Sequence, residues 1–243
     1  MTRRRWRAAP LAAVLLVTGC AAVIDGKAVP APGASITRLM LDGATLAKLL
    51  AQPFNSAPPF PPSYGGSEKF RSGWEDAKPP ECIGVAFMMQ KTVYQAAPVQ
   101  DVADEMWTTD RHSDAQVDSV DEGVIAFRSA KDAGAAFARF TNQWQGCDGT
   151  TLVANSVISA RNVISDVHVA DSVVQARILM HPHEHSILAS IPVARALGVR
   201  GKYLVEVEVR FFGNGNFAAR GTADINTTAA YIAHAMLDRL ALS

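Results

Sequence analysis

The sequence predicts an α+β domain built on an antiparallel sheet, and three observations carry that prediction. Periodicity along the chain runs helix, two strands, helix, a series of strands, then helix. Between residues 151 and 212 the segments are rich in Val, Ile and Leu and joined by short turns, the pattern of a meander. The composition, 49% hydrophobic with 19% charged residues, is that of a globular domain with a sizeable core. The helices are expected on one face of a curved sheet, leaving a concave opposite face or an open edge.

The chain begins MTRRRWR, and residues 8–17 read AAPLAAVLLV. A basic start and a short apolar run followed by small residues is the layout of a secretory signal, and the run is too short to span a bilayer. Val17-Thr18-Gly19-Cys20 resembles the bacterial lipobox. That resemblance implies a signal peptide over 1–19, with Cys20 acylated and made the new N-terminus. Two acyl chains would hold the protein on the extracytoplasmic face of the cell membrane. TRRRW also matches a twin-arginine export signal loosely, so the export route stays open. Residues 20–35, rich in Ala, Gly and Pro, read as a flexible tether, and residues 36–243 as the folded domain.

Lys plus Arg and Asp plus Glu each number 23, and the signal holds Arg3, Arg4, Arg5 and Arg7. Cleavage would leave the mature chain at about −4, which excludes a basic nucleic-acid-binding surface. Of three cysteines, acylation would occupy Cys20 and leave Cys82 and Cys147. In an oxidising compartment these would form one disulfide; the alternative is two buried free thiols.

In chain order, residues 36–51 have the spacing of an amphipathic helix, with Gly43 as a weak point and Pro53 as its stop. Residues 53–70, PFNSAPPFPPSYGGSEKF, lack regular periodicity and read as a packed surface loop or a lid, pinned by Phe54, Phe60, Tyr64 and Phe70. A short helix is expected over 81–94, then strands over 101–109 and 116–128 around a turn-like RHSD cluster. Ser129 is a helix N-cap and Asp132 suits the positive end of the helix dipole. Ala133, Ala136, Phe137, Phe140 and Trp144 give that helix one apolar face, and it ends at Gly146-Cys147. Strands are then expected over 151–154, 162–168, 173–180, 186–194 and 203–212, with a last helix over 223–240.

The stretch Trp144-Gln145-Gly146-Cys147-Asp148-Gly149, the upstream Pro80-Glu81-Cys82 and the late Arg195-Ala196-Leu197 occur in order. Together they resemble the extracytoplasmic sensor domain of the PknH type of mycobacterial Ser/Thr kinase, a domain also carried by stand-alone lipoproteins. The resemblance covers about residues 36–241. It implies a twisted antiparallel sheet flanked by helices, a cleft for an unidentified ligand, and no catalytic residues. The family usually has a second cysteine pair. Here Val193 or Ala194 stands at its first place and Phe212 before Gly213 at its second.

His181-Pro182-His183-Glu184-His185 is the strongest metal candidate, since His183 and His185 would share one side of an extended segment. Zinc wants three or four ligands, so a solvated turn is the expectation and no metal is assigned. There is no Gly-x-Ser-x-Gly elbow, and His112 with Asp110 and Asp114 falls in a hydrophilic turn. Gly213-Asn214-Gly215-Asn216 reads as a hairpin turn, and Glu206, Glu208 and Arg210 as the solvent side of a strand. The leading expectation is a membrane-anchored module that binds a small ligand or envelope component, with no cofactor and no catalysis. A protein-docking envelope module is second, and a hydrolytic or metal-dependent enzyme third.

Overall fold

A computed structural model describes residues 36–110, 114–212 and 220–242. Ala31–Ser243 forms one compact unit. The signal, the tether, Cys20, His112 and the Gly213–Asn216 turn lie outside the described residues.

The sheet has nine strands, all antiparallel, in the order β1-β3-β4-β9-β8-β7-β6-β5, with β2 also on β3. Short β1 (Asn55–Ser56) and β2 (Ser63–Gly65) line the outer side of β3 (Val99–Thr108). Next come β4 (Val117–Phe127), β9 (Tyr203–Phe211), β8 (Ile191–Arg200), β7 (Val173–His181), β6 (Arg161–Ala170) and β5 (Thr151–Val153). The loop read at 53–70 therefore supplies two strand fragments. Phe54 and Phe70 are buried as expected, whereas Phe60 and Tyr64 are exposed. Pairing along β3 occupies backbone groups that an open edge would offer to another chain.

Helices cover both faces of the sheet, not one. On one face α4 (Ala130–Gly146) buries Ala133, Ala136, Phe140 and Trp144 over Ile125, Phe127, Ile178 and Leu204. On the other, α1 (Gly43–Leu50) and α5 (Thr228–Asp238) bury Leu46, Leu50, Ile232 and Met236 over Val120, Val124, Val205 and Val207. The cause is visible in the central strands. β8 carries apolar residues at both parities, and β9 sets valines on one face and Leu204 with buried charges on the other, so each face needs a covering layer. Gly198 allows α5 to lie close, because a Cβ there would stand 2.9 Å from Leu237 Cδ1.

Several boundaries move for local reasons. The helix expected over 36–51 breaks into a 3₁₀ turn, Thr37–Leu39, and α1. Asp42 accepts from Thr45 N at 2.7 Å, which caps a new helix at Gly43. The helix expected over 81–94 is a 3₁₀ turn, Pro80–Cys82, then α2 (Ile83–Ala86) and α3 (Lys91–Tyr94). Phe87 turns extended between them and Met89 takes φ 57°. Residues 186–190 form a loop, although Ile187 and Leu188 gave them a strand-like look. The next strand starts at Ile191 and runs on to Arg200. The final helix starts at Thr228, after Thr228 Oγ1 accepts from Asp224 N at 2.7 Å.

Ser129 caps α4 as read, accepting from Asp132 N at 3.1 Å. Cys147 follows that helix and is bonded to Cys82, their Cα atoms 5.7 Å apart. Val193 and Ala194, the two candidates for the first place of the second cysteine pair that the resemblance implies, are both buried in the core.

Candidate functional site

Alternation along the strands decides which side chains share a face. On the α4 side, β3 contributes Asp104, β4 Asp121, β9 Glu206, Glu208 and Arg210, and β8 Arg195. Register aligns them: Asp121 lies opposite Glu208, and Glu208 opposite Arg195. The intervening Val205, Val207 and Val209 point into the other core layer. Glu206 and Glu208 are thus buried, not on the solvent side, because the wall built from residues 71–90 and α4 covers them.

Arg71 reaches this cluster from outside the sheet. Its backbone is held by Gln90 and its neighbours, with Arg71 N donating to Met89 O and Lys91 N donating to Arg71 O, both at 2.8 Å. Its guanidinium donates to Asp104 at 2.6 and 3.0 Å and to Asp121 at 2.9 and 3.3 Å. Fully buried Arg195 donates to Glu206 at 2.6 Å and to Glu208 at 3.5 Å, and lies 5.6 Å from the centre of the Trp144 ring. Arg210 donates from Nε to Glu208 at 2.8 Å, and its Nη2 lies 2.7 Å from the same oxygen. Tyr94 from α3 donates its hydroxyl to Glu206, which also accepts from Met89 N at 3.2 Å.

The electrostatics follow from this crowding. Burial works against the charge of Arg71, but Asp121 and Asp104 outweigh it and raise its pKa. Arg210 is raised by Glu208, against the cost of its burial. Burial would raise Glu208, yet Arg210 and Arg195 bring it below the ordinary carboxylate value. Burial raises Glu206 despite Arg195, and raises Tyr94 well above an ordinary phenol.

Asp104 is the carboxylate of the cluster that keeps the most solvent contact, though only 13% of its side chain is exposed. Burial lifts its pKa from 3.8 to about 6, against the pull of Arg71 and with help from Asp121. The folded chain therefore takes up this proton at a higher pH than the unfolded chain. Above pH 6 the charged form costs stability; the cost is relieved as pH falls through about 6, fully so below 3.8. An NMR titration of the Asp104 carboxyl should give a midpoint near 6, and Asp104→Asn should flatten that part of the pH–stability curve. A midpoint below 4 would contradict the burial described here.

Arg71, Asp104, Glu208 and Arg210 of the cluster form the floor of a cleft with two adjoining lobes that share Arg71, Ser72 and Arg210. One, of about 130 Å³, is walled by Trp74, Phe87, Met88, Ile158, Met180 and Ile191. The other, of about 450 Å³, is lined by Phe60, Pro61, Asp104, Glu105 and Met106. No histidine or cysteine lines either lobe among the described residues. The histidine segment lines neither lobe: His181 pairs with Ser190 Oγ at 2.8 Å, and the exposed rings of His183 and His185 stand 5.5 Å apart. No group of three possible metal ligands occurs among the described residues. Asp110 and Asp114 stand on either side of residues 111–113, which lie outside the described residues, and neither lines either lobe.

Sequence reasoning missed Arg71, Tyr94, Asp104, Asp121 and the charge of Arg195. The legible signal was Arg195 itself, a lone charge within an apolar strand of both parities. It belongs to the Arg-Ala-Leu stretch, so the feature that carried the family resemblance is also the buried centre of the cluster.

Fold and site together define a disulfide-stapled α+β domain with a charge-floored cleft. The model of the PknH-like extracellular domain family matches residues 31–239, and the chain belongs to that family. Among solved structures, the extracellular domain of PknH from Mycobacterium tuberculosis shares the fold, with a TM-score of 0.67. The match covers 86% of this chain and 95% of that one at 16% identity. No curated protein matches the chain. Among the described residues no helix is long and apolar enough to cross a membrane.

Proposed function

We propose that this protein is a lipid-anchored extracytoplasmic module that binds a small ligand in the two-lobed cleft and does not transform it. Cys20 carries the anchor, and residues 20–35 hold the domain off the membrane. The observation that carries the reading is the cleft floor. Asp104 and Glu208, which line it, are each engaged by an arginine, and no histidine or cysteine lines either lobe among the described residues. Such a floor is pre-organised to recognise a ligand and has no base–nucleophile pair to attack one.

One observation favours a second reading. A carboxyl with a pKa of about 6 in a cleft suits acid–base chemistry. Native mass spectrometry separates the two. Residues 31–243, incubated with envelope extract and repurified, should retain a small molecule of constant mass. Its conversion to product over time would favour the enzyme, and a reproducibly bound protein instead would favour the docking module. For the anchor, globomycin should leave an uncleaved precursor; an unacylated chain in the cytosol would overturn that assignment.

A further inference from the structure

We infer that the cleft's ligand is an amphipathic anion, an acidic head of carboxylate or phosphate chemistry on an apolar tail. This rests on the reading of the cleft as a ligand site and names what that site takes.

The head follows from which charges meet solvent. Arg71 and Arg210 each keep 31% of their side chains exposed, whereas Asp104 keeps 13%, Glu208 3% and Asp121 2%. The carboxylates stand behind the guanidinium groups. An entering group therefore meets N–H donors first. Donor capacity is also left over. Arg210 uses Nε and Nη2 on Glu208, and its Nη1 has no partner among the described residues. The Nη1 of Arg71 makes one long bond, 3.3 Å to Asp121. A guanidinium has five N–H donors and no acceptor, so unused capacity in a partly dry cleft selects an oxyanion. In the lobe walled by Trp74 the lining carboxylate is Glu208, and a cation would have to pull an arginine off it to bind there; Glu105 lines the other lobe.

The tail follows from the walls. Trp74 stacks on Phe87 at 3.9 Å, and Met88, Met180 and Ile191 continue that surface from the arginines outward. Methionines adapt their shape to an apolar guest. Ile158 carries the surface to the rim. There Val157 O accepts from His183 N at 2.9 Å, which ties the 154–160 loop to the loop bearing Ile187 and Leu188. Val157, Ile158, Ile187 and Leu188 are all exposed, Ile187 completely. Phe87, Met88 and Met180 are already buried, so what a tail would take from water is the face of half-buried Trp74 and the exposed Val157, Ile158, Ile187 and Leu188, which a wholly polar ligand would leave wet.

The test uses residues 31–243 and probes below their micelle concentrations: decanoate, octyl phosphate, decyltrimethylammonium and inorganic phosphate. Calorimetry should show decanoate or octyl phosphate binding at least about tenfold tighter than the cation, as charge-assisted bonding to arginine requires. Decanoate preference indicates a fatty acid, octyl phosphate preference a lipid phosphate, and either supports the proposal. Arg210→Gln should weaken the favoured anion about tenfold. Because Glu208 then keeps only the 3.5 Å contact with Arg195, the variant also loses stability, and its affinity is measured well below its own melting temperature. A bromine-tailed decanoate should quench Trp74 fluorescence, and Trp74→Phe should remove that quenching. Equal binding of the cation, or anion binding unchanged in Arg210→Gln, overturns the head. Inorganic phosphate binding as tightly as octyl phosphate overturns the tail. If no probe reaches Trp74 the inference fails, while the reading of the cleft as a ligand site stands or falls separately on the molecule retained from envelope extract.

Discussion

Arg195→Met should cost the domain about 3–5 kcal/mol, the usual penalty for removing one partner of a buried ion cluster. Arg195 is fully buried between Glu206 and Glu208, and the substitution keeps the apolar stem near Trp144 while deleting the charge. Glu208 retains Arg210, but Glu206 keeps only Tyr94 and the Met89 amide. Burial already raises the pKa of Glu206 with Arg195 in place. Without the arginine it rises further, so the variant's deficit should be larger at pH 7.5 than at pH 5. Urea unfolding with the disulfide intact measures this. Arg195→Met/Glu206→Gln should recover much of the loss by removing both charges together. A loss below about 1 kcal/mol in the single variant, a value typical of an exposed pair, would show that the cluster is not buried as described.

Reduction of Cys82–Cys147 should have an effect of the same order. The bond closes a loop of 65 residues, which in the chain-entropy model corresponds to about 4 kcal/mol of stability. It ties the start of α2 to the end of α4, so it also holds the 83–90 wall against the helix that covers the cluster. Cys82→Ala/Cys147→Ala should match the reduced protein in its urea midpoint. Thiol labelling of the denatured, unreduced domain should detect no free cysteine at either position. Two labelled thiols would show that the bond does not form in the protein as made.

Strands whose one face is plainly apolar were legible in the sequence: β3, β4, β7 and β9 fall within a few residues of their expected bounds. The N-cap at Ser129 and the end of α4 were legible too, because both depend on local chemistry. What failed was set by tertiary partners. Pairing to β3 gave the 53–70 segment strand character that its prolines argued against. Ile187 and Leu188 imitated a strand because apolar content does not reveal exposure. Glu206, Glu208 and Arg210 looked like a wet face because alternation reports two sides without saying what covers each. Their partner Arg195 stands on the neighbouring strand and was read only as part of a motif, and the Arg71, Asp104 and Asp121 group beside them comes from far upstream, where no local pattern could join it to β9.

The cluster also bears on how the chain avoids misalignment while it folds. Side chains in a strand alternate with a period of two, so a slip of β9 by one residue against β4 or β8 would drive two glutamates and an arginine into the valine layer under α5. It would also set three valines against the abandoned charges of Asp121 and Arg195. Either error strands unpaired ions in a dry interior. The ion cluster therefore penalises a one-residue slip of the central strands, a penalty that an all-valine β9 would lack.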